Sequence, residues 1–222
     1  MVLFPELPFA RVANLLSFLF LLMSFLLIIR SSLSAQVQMF AVQSGVLSAL
    51  AAVVAHFGGS RELFGVAVLF AFIKVIVIPR VLTRAVSKIG IQRAVAPYLG
   101  TSVTLGICAG LVVVAFYVMA PVMESNRLPT ADGIPLAFAG VLIGFFTTVN
   151  RRRALTQILG FLMLENSIFM VALLATYGVP LIVEMGVFLD VLVAVLILEV
   201  FVYRIKHNFD SIEVNQMGAL RG

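Results

Sequence analysis

Five ionisable side chains fall inside stretches that are otherwise apolar. They are Lys74 in "LFAFIKVIVIP", Glu165 in "ILGFLMLENSIFM", and Glu184, Asp190 and Glu199 in "LIVEMGVFLDVLVAVLILEV". A charge at the centre of a bilayer costs about 2.5–3.5 kcal/mol on insertion scales, so such residues usually pair or line an ion path. Desolvation raises a carboxylate's pKa and a neighbouring cation lowers it again, which brings proton exchange near neutral pH within reach. Carboxylates at several depths can therefore form a proton relay. The competing reading is structural: a buried Lys–carboxylate pair that fixes helix register, or long side chains that snorkel to the interface. Glu165 and Asp190 lie near the middle of their segments, Glu184 near the outer end and Glu199 near the inner end. Lys74 sits just before Pro79–Arg80, toward which its stem can reach. At 100° per residue, Glu184 and Glu199 share a face, while Asp190 points roughly 120° and 180° away from them. A helix polar on two sides needs protein or water on both.

Other chemistry finds little support. His56 and His207 fall at a turn and in the tail, where an exposed imidazole is the expected state. The single cysteine, Cys108, excludes an intrachain disulfide and a cysteine-ligated metal cluster. It lies in an apolar run and reads as a small packing residue. No glycine-rich phosphate loop, Ser/His/Asp set or metal-ligand spacing is present. Nothing points to covalent catalysis by this chain alone, and no cofactor site is expected in it.

The elements that must hold these charges are membrane helices. Hydrophobic residues make up 62% of the 222 and charged residues 11%, with a mean hydropathy of +1.16. That composition describes an all-α integral membrane protein. The net charge of +5 is expected in loops facing one side of a bilayer rather than on nucleic acid. About seven segments are long or apolar enough to cross: 11–29, 36–56, 61–79, 97–121, 134–149, 154–177 and 181–203. The fifth is the shortest. The first run stops at Arg30 without a small-residue cleavage site, which predicts a retained helix.

Eleven basic residues follow spans one, three, five and seven: Arg30; Arg80, Arg84, Lys88 and Arg93; Arg151, Arg152 and Arg153; Arg204, Lys206 and Arg221. Only Arg11, Arg61 and Arg127 fall on the other side. The positive-inside rule then places the N-terminus outside and the C-terminus in the cytoplasm. "HFGGSRE" predicts a tight outer turn, and "ESNRLPTADGIP" the longest outer loop. That loop separates a four-helix region, 1–123, from a three-helix region with a cytoplasmic tail, 134–222, across 124–133. Residues 80–97 carry apolar and basic residues at helical spacing, as an amphipathic surface helix or an ordinary basic loop would. "GICAG" (Gly106, Gly110) and "GVLIG" (Gly140, Gly144) are GxxxG patterns that permit close helix contact.

"NRRRALTQILGFLMLENSIFMVALL" sets a basic cluster and a turn before a helix with a central glutamate. "VEMGVFLDVLVAVLILEVFVYRIKHNFDSIEVNQMGALRG" adds a second acidic helix, a basic end and an "RG" terminus. This C-terminal third resembles the small K subunit of respiratory complex I. The whole chain, including "AFIKVIVIPRVL" with Lys74, resembles hydrogenase-4 component E, from the membrane arm of group 4 hydrogenases and formate hydrogenlyase-type complexes. The resemblance implies a proton-pathway role for Glu165 and Asp190 at the positions of the K subunit's two helix glutamates. Asp190 aligns with a one-residue gap and is one methylene shorter. Glu184 and Glu199 have no firm K-subunit counterpart, although Glu184 is shared with the longer family.

The implied setting is a non-catalytic subunit of a proton-translocating redox complex in the inner membrane of a prokaryote. Antiporter-like and complex I-like membrane subunits and a peripheral redox module would be its partners, and these would hold the nickel–iron site and iron–sulfur clusters. A purely structural assembly subunit is the alternative. A free-standing transporter fits less well, since no internal repeat or pair of interrupted spans is visible.

Overall fold

The computed structural model describes residues 6–89, 97–125 and 128–176. The segment 181–203, with Glu184, Asp190 and Glu199, lies outside them. The described residues form helices without strands: α1 (Glu6–Ile29), α2 (Leu33–Gly58), α3 (Arg61–Phe70), a π-helical segment (Ala71–Val77), α4 (Ile78–Ile89), α5 (Thr101–Ser125), a 3-10 turn (Ala131–Gly133), α6 (Ile134–Asn150) and α7 (Ala154–Thr176). Among the described residues, six helical stretches are long and apolar enough to cross a membrane, the third running from Arg61 to Arg84.

Local chemistry sets the boundaries. The Ser32 hydroxyl accepts from the Ala35 amide at 3.3 Å and starts α2. Gly59 ends it in the left-handed region, φ 67°, which glycine adopts without steric cost. Ser60 caps α3 through the Leu63 amide. The tight outer turn expected from "HFGGSRE" is therefore a glycine stop joined to a serine start. Pro135 occupies the first turn of α6, where no amide donor is needed. Residues 78–89 are helical and continue the third span. Leu82 and Val86 are buried, and Arg80 and Arg84 are exposed.

The core is shared by helices from both sides of the 124–133 loop. Phe20 of α1, Leu47 and Leu50 of α2, Phe70 of α3, Ala137 of α6 and Phe169 and Met170 of α7 belong to one buried cluster. α6 and α7 cross with their backbones in contact. A methyl group added at Gly144 would lie 2.7 Å from Leu164 Cα, and one at Gly160 would lie 2.8 Å from the Thr148 amide nitrogen. The two GxxxG patterns thus behave differently. Gly140 and Gly144 are used within the chain, whereas a Cβ at Gly106 or Gly110 of α5 meets nothing within 4 Å among the described residues. α5 is correspondingly the least enclosed span, 17% buried against 61% for α7. Its Cys108 is one of the few residues it buries.

Candidate functional site

Lys74 and Glu165, 91 positions apart in the sequence, meet in the interior at mid-span. Their nitrogen and oxygen are 3.5 Å apart, with side chains 2% and 4% exposed. Lys74 therefore does not snorkel. Its position depends on the π-helical segment. The Ile78 amide bonds back to the Ile73 carbonyl, five residues earlier. Pro79 follows, with no amide to donate and a ring that would crowd the carbonyl of Val75 in a regular helix. A wider turn relieves that crowding, and such bulges often mark functional positions.

The ammonium is held by more than the carboxylate. Lys74 Nζ donates to Asn166 Oδ1 at 2.8 Å, shorter than its approach to Glu165. Asn166 Nδ2 in turn donates to Ser44 Oγ on α2 at 2.9 Å. Nζ also lies 4.8 Å from the Phe70 ring centroid, and Phe70 packs on Phe169 at 4.4 Å. The aromatic pair excludes water from one side, and the ring face stabilises the cation. Next to Ser44, Gln43 Nε2 donates to Ser24 Oγ at 2.6 Å, which carries polar groups on to α1. Asn166, Ser44, Gln43 and Ser24 are all fully buried or nearly so. The site thus joins a titratable pair to neutral donors and acceptors on α2 and α7, while a separate Gln43–Ser24 bond ties α2 to α1.

Neither composition nor charge counting pointed to those four neutral residues. The available signal was positional: Gln36, Gln43, Ser44 and Ser48 interrupt an apolar span, and Asn166 adjoins the buried glutamate. Of the five ionisable residues in the spans, Lys74 and Glu165 are brought together. Asp190, Glu184 and Glu199 lie outside the described residues. Among the described residues, no three His, Cys, Asp or Glu side chains cluster as metal ligands.

A second polar junction closes the far end of α6. Asn150 accepts from the Leu99 amide at 3.0 Å and donates to Thr104 Oγ1 at 2.9 Å, and its carbonyl accepts from the Tyr98 amide. This ties the start of α5 to the α6–α7 turn. Arg152 stacks over Tyr98 at 4.6 Å there, and Arg151 is buried.

Comparison with known proteins covers this architecture almost end to end. An uncharacterized protein of Mycobacterium tuberculosis is 37% identical over 201 residues, 90% of this chain and 91% of the relative. Hydrogenase-4 component E of Escherichia coli K12 is 26% identical over 217 residues, 96% of this chain and 99% of that protein, as is its Shigella flexneri counterpart. The chain shares a family with the mycobacterial protein and is similar to hydrogenase-4 component E along nearly its whole length. No family model matches it, and no solved structure matches it either. In this chain, the ion pair draws Lys74 from the N-terminal region and Glu165 from the C-terminal one. The four leading helices thus contribute half of the buried pair.

Proposed function

We infer that this chain is a non-catalytic membrane subunit of a proton-translocating, hydrogenase-type complex. On this reading its buried pair, Lys74–Glu165, is part of the proton path. The observation that carries it is an ion pair sealed at mid-span in a chain that aligns end to end with a hydrogenase-4 component. Two charges desolvated together cost more than apolar residues of the same shape would, so a requirement for charge is the simplest reason to keep them. Asp190, with Glu184 and Glu199, would extend the path along the last span. The Asn166–Ser44 arm would hold the lysine as the glutamate changes protonation state.

Electron transfer, and the metal centres it needs, would reside in partner subunits. The basic loops would face the cytoplasm of a prokaryote and the N-terminus the outside.

The test is proton translocation by the membrane complex carrying Glu165→Gln or Lys74→Met. Translocation should fall while redox turnover by the peripheral module, assayed with a soluble acceptor, stays. Variants that assemble and translocate at the normal ratio would remove the relay role and leave assembly as the function. The open face of α5, with Gly106 and Gly110 uncovered, favours that second reading as an added role.

A further inference from the structure

The turn between α6 and α7 concentrates charge that nothing described neutralises. Arg151, Arg152 and Arg153 are consecutive. Arg151 is 5% exposed, and its guanidinium makes no hydrogen bond or ion pair among the described residues. Burial pulls its pKa down, with desolvation the cause. Arginine cannot escape that cost by losing its proton, as a buried lysine can. Arg153 Nη1 is also buried and without a hydrogen-bond partner among the described residues.

Among the described residues, the surroundings supply no counter-charge. α7 begins at Ala154 and has no acidic residue in its first turn. A cation at a helix N-terminus is at the unfavourable end of the dipole. The C-terminus of α6 favours Arg151 from the other side, but such an end carries only about half a charge. Glu62, Glu124 and Asp132 all lie at the opposite end of the bundle, and Arg80 and Arg84 project at this end. The nearby side chains do other work. Gln157 Nε2 donates to the Arg151 carbonyl at 2.8 Å, and Thr156 Oγ1 to the Arg153 carbonyl at 2.9 Å. They fix the backbone of the turn and take up none of its guanidinium donors.

Just inside the turn the surface becomes apolar and open. Phe145 and Val149 of α6 are each 62% exposed, and Val103 of α5 is 54% exposed. Tyr98 stands at the same level with Arg152 over its ring. A basic site at the end of two spans, with a bare apolar flank beneath it, matches a molecule with an anionic head and hydrocarbon tails.

We propose that the Arg151–Arg153 turn is a binding site for a phosphate group, supplied by an anionic phospholipid whose acyl chains lie along the exposed flank of α5 and α6. Charge-assisted, forked contacts from arginine are the strongest that a phosphate headgroup receives from protein. The bound phosphate would give Arg151 and Arg153 a shared anionic partner and would tie the α6–α7 pair, and with it Glu165, to the membrane surface.

The test uses the purified full-length chain in mild detergent, stripped of lipid, with native mass spectrometry as the readout. Phosphatidylglycerol, a diacylglycerol with the same tails and inorganic phosphate are titrated separately. The wild-type chain should retain phosphatidylglycerol and not the diacylglycerol. Arg153→Gln, at a half-buried position, should weaken retention by about tenfold or more, as loss of a charge-assisted contact predicts. Arg151→Gln should do the same, and Arg61→Gln, at the opposite end, should change nothing. Equal retention of inorganic phosphate would keep the phosphate site and assign it to a free anion. Phosphatidylglycerol binding unchanged in both Arg151→Gln and Arg153→Gln would overturn the proposal. So would a structure of the assembled complex with a partner's aspartate or glutamate within ion-pair distance of either arginine.

Discussion

Lys74 and Glu165 illustrate how a buried pair can cost stability and still be damaging to break. Removing one partner strands the other in a low-dielectric interior, which in soluble proteins costs about 3–5 kcal/mol. Replacing both with apolar residues removes the desolvation cost as well. Lys74→Met and Glu165→Leu should therefore each lower stability against denaturing detergent, and the double variant should be more stable than either single one. A double variant showing simple additivity would mean the two groups do not interact. Asn166→Leu removes the acceptor for Lys74 and the donor to Ser44 together, at about 1 kcal/mol for each hydrogen bond lost. Asn166→Asp should restore the hold on the lysine, and detergent unfolding curves would register the difference.

At this scale the sequence was informative about charge and silent about neutral polarity. A carboxylate in an apolar run is conspicuous because its cost is large. Ser24, Gln43 and Ser44 are not, since serine hydroxyls can satisfy themselves on the helix backbone, as Ser24 does on the Phe20 carbonyl at 3.1 Å. Lys74 had two outcomes consistent with its position, snorkelling or pairing. Its environment on neighbouring helices decided between them.

The helices themselves were legible wherever length and hydropathy define them, which covers six of the seven predicted segments. The π-helical segment was not. Hydropathy periodicity assumes a constant 3.6 residues per turn, and one extra residue is lost within its noise. As far as Ile89, the amphipathic stretch after Pro79 is an extension of the third span, because the widened turn lets the chain pass the proline without breaking. Glycine use was likewise ambiguous in sequence and clear in structure. Gly144→Ala drives a methyl into the backbone of α7 at Leu164 and should cost about 1–3 kcal/mol, as overpacking does. Gly106→Ala meets open space within this chain and should leave its own unfolding midpoint unchanged. If the uncovered face of α5 receives another helix in the assembled complex, Gly106→Leu should reduce the yield of complex without affecting the isolated chain. Equal losses of chain stability for Gly144→Ala and Gly106→Ala would contradict the packing described.

At the scale of the whole chain, the 124–133 loop is prominent in sequence, yet the buried cluster runs across it. Phe70 meets Phe169, Asn166 bonds Ser44, and Lys74 meets Glu165, so three kinds of interaction link the helices before the loop to those after it. The loop is also anchored, since Thr130 Oγ1 donates to the Leu174 carbonyl at 2.7 Å and Asn14 donates to Asp132 at 3.3 Å. A fragment beginning after the loop would carry Glu165 and Asn166 with neither Lys74 nor Ser44. Its α7 would then carry that carboxylate and amide without the Lys74 and Ser44 contacts, and a mid-membrane carboxylate that loses a counter-charge is costly to insert. Two fragments, 1–125 and 126–222, made together should therefore associate through this core and copurify without a covalent link. The second fragment made alone should be degraded or misinserted, and Glu165→Leu should rescue it in part by removing a charge that has lost its lysine. A fragment 126–222 that accumulates alone to the level of the paired fragments would show that the three-helix region stands without the first four. In that case the buried pair would be an attachment between two independent units rather than the centre of one.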